Sequence, residues 1–122
     1  MPAASAVVST TGMQYAKIND PGSIMTLLQQ GPVAVGVNAL DFAFQFYSSG
    51  IISPLDCSNK KINHVVLLVG LGVDSNNIPY WLIQNSFGTT WGNAGYAKIY
   101  RDMTPNSAGT CGINRYAVIP LV

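Results

Sequence analysis

The chain carries a single histidine, His64, at the head of the apolar run Val65-Val66-Leu67-Leu68-Val69. A lone histidine at a strand start is by default a structural or surface residue. Its chemical reading is an imidazole that gains and loses a proton near neutral pH, and so can act as acid and base. Asn85 closes the stretch Tyr80-Trp81-Leu82-Ile83-Gln84, where an asparagine usually forms a turn. Functionally, its amide oxygen can accept an imidazole N–H and thereby select which ring nitrogen faces a nucleophile. Cys57 and Cys111 are the only cysteines. They admit three readings: a disulfide, a free pair, or one reactive thiol with a bystander. The disulfide is the bland reading; it would close a loop of about fifty residues, contribute about 4 kcal/mol in the chain-entropy model, and imply an oxidising compartment.

Other chemistries find little support. Ser86 beside Asn85 suggests a serine hydrolase, but the nucleophile-elbow pattern G-x-S-x-G is missing. One His, two Cys and scattered Asp offer no pair of ligands at zinc spacing. Gly70-Leu71-Gly72 lacks the third glycine of a dinucleotide loop. No metal or cofactor is expected.

The elements that must hold these residues are mostly strands. Residues 1–11 read as an extended lead-in, or as residues foreign to the natural chain. Residues 13–18 suit a short strand that stops at Asn19-Asp20. One helix follows near 21–30: Asp20 can cap it, Pro21 fits its first position, Ile24, Leu27 and Leu28 share a face, and Gly31-Pro32 end it. Val33-Ala34-Val35-Gly36-Val37 is a β-branched run whose glycine marks a bulge or a close approach. The aromatic stretch 42–47 reads as core or interdomain packing. Strands are expected at 64–71, 78–84, 95–101 and 115–119, between turns such as Asp74-Ser75-Asn76-Asn77. This spacing favours a mainly β, α+β fold with an antiparallel sheet curled into a barrel or sandwich.

Composition sets the outer bounds. At 122 residues the chain is one domain or a piece of a larger protein. Apolar residues make up 48%, which excludes the polar composition of disordered segments. A net charge of +1 without basic clusters argues against a nucleic-acid partner. Every apolar run falls far short of the roughly 20 residues of a membrane span, and Met1-Pro2-Ala3-Ala4 lacks the basic start of a signal peptide. A soluble chain without membrane partners is expected. Charged residues reach only 9%, against about 25% in ordinary domains, so part of the surface is expected to meet another polypeptide.

Several motifs occur together in a familiar order: Gly31-Pro32-Val33-Ala34-Val35, Phe44-Gln45-Phe46-Tyr47-Ser48-Ser49-Gly50, Asn63-His64-Val65-Val66, Gln84-Asn85-Ser86-Phe87-Gly88, Trp91-Gly92 and Cys111-Gly112-Ile113. From about residue 12 to the end, the chain resembles the C-terminal, barrel-like (right) lobe of papain-like cysteine proteases, the cathepsin family. The resemblance implies that His64 pairs with a nucleophilic thiolate and that Asn85 orients the imidazole. It implies that Cys57 and Cys111 form a disulfide. Gly36, Ile62, Asn63, Val65 and Tyr116 fall at positions lining the pocket for the substrate's second side chain before the cut, which suits medium apolar side chains. Phe87 stands where the family usually has a tryptophan over the His–Asn bond, with Trp91 a further shield, and Gln84 replaces a common lysine.

The family's Gln…Cys-Gly-Ser-Cys-Trp segment has no counterpart in these 122 residues. The resemblance therefore implies a partner, an N-terminal helical lobe or chain carrying the nucleophilic cysteine, and inactivity of this chain alone. It also implies a peptide or protein substrate and a lysosomal, endosomal or secreted setting. The competing reading is a non-enzymatic binding or structural module derived from such a protease, self-associating through the exposed cleft face.

Overall fold

A computed structural model describes residues 12–85 and 91–121 of the chain. The expected lead-in 1–11, Ser86 and the shielding residue Phe87 lie outside the described residues.

The elements run β1 (Gly12–Tyr15), α1 (Pro21–Leu28), β2 (Val33–Val37), α2 (Phe42–Gln45), β3 (Ile51–Ile52), β4 (His64–Val73), β5 (Pro79–Gln84), β6 (Tyr96–Tyr100) and β7 (Ala117–Leu121), with a 3-10 turn at Thr110–Gly112 before β7. The seven strands form one sheet in the order β1-β7-β2-β4-β5-β6-β3. Every pairing is antiparallel except β3 with β6, which is parallel, so the sheet is mixed rather than purely antiparallel.

Helix α1 begins as its sequence dictates. Ser23 N–H donates to the Asp20 carboxylate at 3.3 Å, and Pro21 occupies the first turn, where its missing N–H costs nothing. Ile24 and Leu27 turn inward, and Gly31, at φ 141°, ends the segment in a conformation that other residues rarely adopt. These side chains meet Val33, Val35, Leu68, Trp81 and Ile83 in the core. Each fully buried aliphatic or aromatic side chain contributes about 1.5–3 kcal/mol relative to exposure.

Two features depart from expectation. The aromatic stretch makes a single helical turn, α2, and only Phe44 reaches the core, while Phe42 and Phe46 stay exposed. Gly36 sits in an unbroken register with β4, and the sheet's bulge falls between Leu68 and Gly70 instead. The close approach at Gly36 is real: a Cβ there would stand 2.5 Å from Ile62 Cγ2.

Candidate active site

His64 is the first residue of β4 and pairs with Val37, the last residue of β2. Asn85 follows the last residue of β5. Because β4 and β5 run antiparallel with Leu67 opposite Gln84, the start of one and the end of the other meet at the same end of the sheet. There, His64 Nε2 and Asn85 Oδ1 lie 2.9 Å apart. An amide oxygen only accepts, so this contact selects the ring protonated at Nε2. Asn85 is buried, and its backbone N–H donates to the Gly95 carbonyl at 2.9 Å, which fixes the residue independently of its side chain.

Gly95 in turn donates to the Trp91 carbonyl at 2.8 Å. Trp91 is buried; its indole N–H donates to the Phe44 carbonyl at 3.0 Å, and its ring lies 5.0 Å from Phe44 and 6.0 Å from Tyr47. The aromatic stretch thus supports the loop that anchors Asn85.

A second group lies on the outer face of the sheet. Gly36 is opposite Val65, and its N–H donates to the Tyr116 carbonyl at 3.0 Å. Ile62 closes over Gly36 from one side, with Tyr116 Cβ 3.5 Å from the space a Cβ would fill. Four of the five expected pocket residues therefore converge, and none is charged. Asn63 differs: its amide accepts from Ala39 N–H at 2.8 Å and donates to Asn38 Oδ1 at 2.9 Å, tying the end of β2 to the start of β4. A groove of about 380 Å3 beside this group is lined by Ala34, Val65, Val66, Leu67, Gln84 and Asn85.

Cys57 and Cys111 form a disulfide, with Cα atoms 4.9 Å apart. Since these are the chain's only cysteines, both thiols are spent on structure. Among the described residues, no three His, Cys, Asp or Glu side chains are grouped to hold a metal ion, and no helix is long and apolar enough to cross a membrane. Sequence reasoning missed Asn38, which is 7% exposed and contacts both the disulfide loops and Asn63; an asparagine after a strand reads simply as a turn former.

The described residues thus form a mainly β lobe with His64 and Asn85 meeting at one end of its sheet. A family model described as papain family cysteine protease matches residues 2–121, and the chain belongs to that family. It is 37% identical over 114 residues to the senescence-specific cysteine protease of Arabidopsis thaliana, covering 93% of this chain and 32% of that protein. Human cathepsin L2 is 45% identical over 95 residues, covering 75% of this chain and 27% of that one. The bromelain protease from Ananas comosus, solved in complex with the E64 inhibitor, superimposes with a TM-score of 0.82 at 36% identity, covering 93% of this chain and 51% of that one. The chain thus spans about a quarter to a third of the length of the curated relatives it matches.

Proposed function

We propose that this chain is the C-terminal half of a papain-like cysteine endopeptidase, supplying His64 and Asn85 to a cysteine on a partner helical lobe. The observation that carries the reading is the 2.9 Å contact between His64 Nε2 and Asn85 Oδ1. With Nε2 committed to Asn85, Nδ1 is the ring atom that faces the thiol. Proton transfer from sulfur to Nδ1 gives a thiolate–imidazolium pair, in which the positive ring holds the thiol pKa below its ordinary value near 8.5. The thiolate attacks the peptide carbonyl carbon, and collapse of the tetrahedral adduct breaks the C–N bond as the imidazolium passes its proton to the leaving amine. Water then attacks the thioester, giving a proton to Nδ1 and the acyl group to the product acid. The sulfur leaves as thiolate and the cycle closes. Asn85 keeps the ring in the right tautomer and orientation throughout.

Because both cysteines are disulfide-bonded, the chain alone is inactive in this account. Gly36, Ile62, Val65 and Tyr116 would receive the substrate's second side chain before the cut, and their lack of charge favours a medium apolar one. Phe87 and Trp91 would keep water from the His–Asn bond. The helical lobe would cover exposed apolar surface near His64, where Leu67 is 37% exposed. The disulfide suits a lysosomal, endosomal or secreted setting.

The test is hydrolysis of a fluorogenic dipeptide with a medium apolar residue second from the cut, by this chain alone and mixed with a separately made helical lobe. Activity only in the mixture, blocked by a thiol-reactive epoxide and reduced about 10²–10⁴-fold by His64→Ala, is expected; Asn85→Ala should cost less. A folded mixture without activity, or one indifferent to His64→Ala, would overturn the reading in favour of a non-enzymatic module.

A further inference from the structure

We propose that Asn38 is a positioning residue for His64, acting through the amide of Asn63. The proposal rests on the reading of His64 as the proton-transferring group. Val37 opposite His64 is the last pair of the β2–β4 ladder, so the ladder holds His64 from one side only. Beyond that pair, the residue preceding the histidine is tied to the end of β2 by three hydrogen bonds. Asn63 N–H donates to the Val37 carbonyl at 3.1 Å, Asn63 Nδ2 donates to Asn38 Oδ1 at 2.9 Å, and Ala39 N–H donates to Asn63 Oδ1 at 2.8 Å.

Asn38 is itself held on several sides. Its N–H donates to the Cys111 carbonyl at 2.8 Å, its Nδ2 donates to the Ser58 carbonyl at 3.2 Å, and its Oδ1 also accepts from Leu40 N–H at 3.2 Å. The Cys57 sulfur lies 3.6 Å from its carbonyl oxygen; as a disulfide sulfur it carries no proton, so this is a packing contact. Asn38 is therefore fixed against both loops that the disulfide joins. A turn former needs only the bond to Leu40 N–H. The second use of Oδ1, toward Asn63, transmits the rigidity of the disulfide-linked loops to the backbone that carries the imidazole. Small misplacement of a reacting group is costly, with about 1 Å worth up to about a hundredfold in rate.

Because His64 is the chain's only histidine, a two-bond nitrogen–proton NMR spectrum reads its ring without assignment ambiguity. The experiment uses nitrogen-15-labelled chain without the helical lobe, at a pH where the ring is neutral, with dispersed methyl signals reporting folding. The parent should show the tautomer protonated at Nε2. In Asn38→Ala the share of that tautomer should fall and exchange of the Nε2 proton should speed up about tenfold, the scale of one lost hydrogen bond. In the mixture, Asn38→Ala should lower kcat about tenfold while leaving KM within about twofold. Should Asn38→Ala fail to fold, Asn63→Ala removes the same link, together with the acceptor for Ala39 N–H, while leaving the bonds of Asn38 to Ser58, Leu40 and Cys111 in place, and should disturb the ring in the same way. A folded Asn38→Ala or Asn63→Ala with the parent ring spectrum would overturn the proposal. A parent mixture without peptidase activity would instead overturn the functional reading, while the ring spectrum still decides whether Asn38 positions His64.

Discussion

Ile62 packs its Cγ2 over Gly36 so closely that a β-carbon on the glycine would stand only 2.5 Å away. The clash falls on a branch near the Ile62 backbone, which cannot swing aside like the tip of a long side chain. Gly36→Ala should therefore overpack the site and cost about 1–3 kcal/mol. The check is a urea melt: the midpoint should fall with the slope unchanged. An unshifted midpoint would mean that Ile62 relocates freely.

Much of this arrangement could be read from the residues. Helix α1 was legible because Asp20, Pro21 and Gly31 each carry a positional signal, and the strands near His64 and Asn85 were legible from their β-branched and aromatic runs. Helix α2 was not: Phe42, Phe44 and Phe46 recur every second residue, a strand period, yet the chain makes one helical turn that buries only Phe44. The parallel pairing of β3 with β6 involves just Ile51 and Ile52, too short a segment to show any period. The meeting of His64 with Asn85, 21 residues apart, was legible only through resemblance to a family, since no local pattern links them. Asn38 gave no signal beyond that of a turn.

The Cys57–Cys111 bridge spans a sequence separation of 54 and has both cysteines buried. Replacing both residues with serine should lower stability by about 4 kcal/mol in the loop-closure account. Comparison of thermal or urea unfolding of the oxidised parent and the double variant checks this. A difference under about 1 kcal/mol would show that the unlinked chain is already restricted without the bridge.

Asp102 gives a pH-dependent term with a definite sign. Burial pushes its pKa up, but hydrogen bonds from the Thr104 side chain and backbone and from the Ser107 hydroxyl outweigh this and hold it below the ordinary carboxylate value. Thr104 N–H reaches Oδ1 at 2.9 Å, and Ser107 Oγ reaches Oδ2 at 2.8 Å. A carboxylate whose folded pKa is depressed stabilises the fold above its unfolded pKa, near about 4, and that stability is lost as pH falls through the folded value. Asp102→Asn should flatten this acid-side loss, and Ser107→Ala should move the midpoint toward higher pH. Stability curves between neutral pH and pH 2 test both; parallel curves for parent and Asp102→Asn would contradict the assignment.

In the proposed function, His64, oriented by Asn85, lowers the pKa of a thiol on the helical lobe. The pH dependence of alkylation of the helical lobe's cysteine, measured in complex with this chain, tests it most directly. With the parent chain, alkylation should persist well below the ordinary thiol pKa, within the range of about 3.5–7.5 of cysteines activated by cationic neighbours, helix N-termini or metals, and with His64→Ala its midpoint should return to about 8.5. Identical midpoints for the parent and His64→Ala complexes would contradict the account.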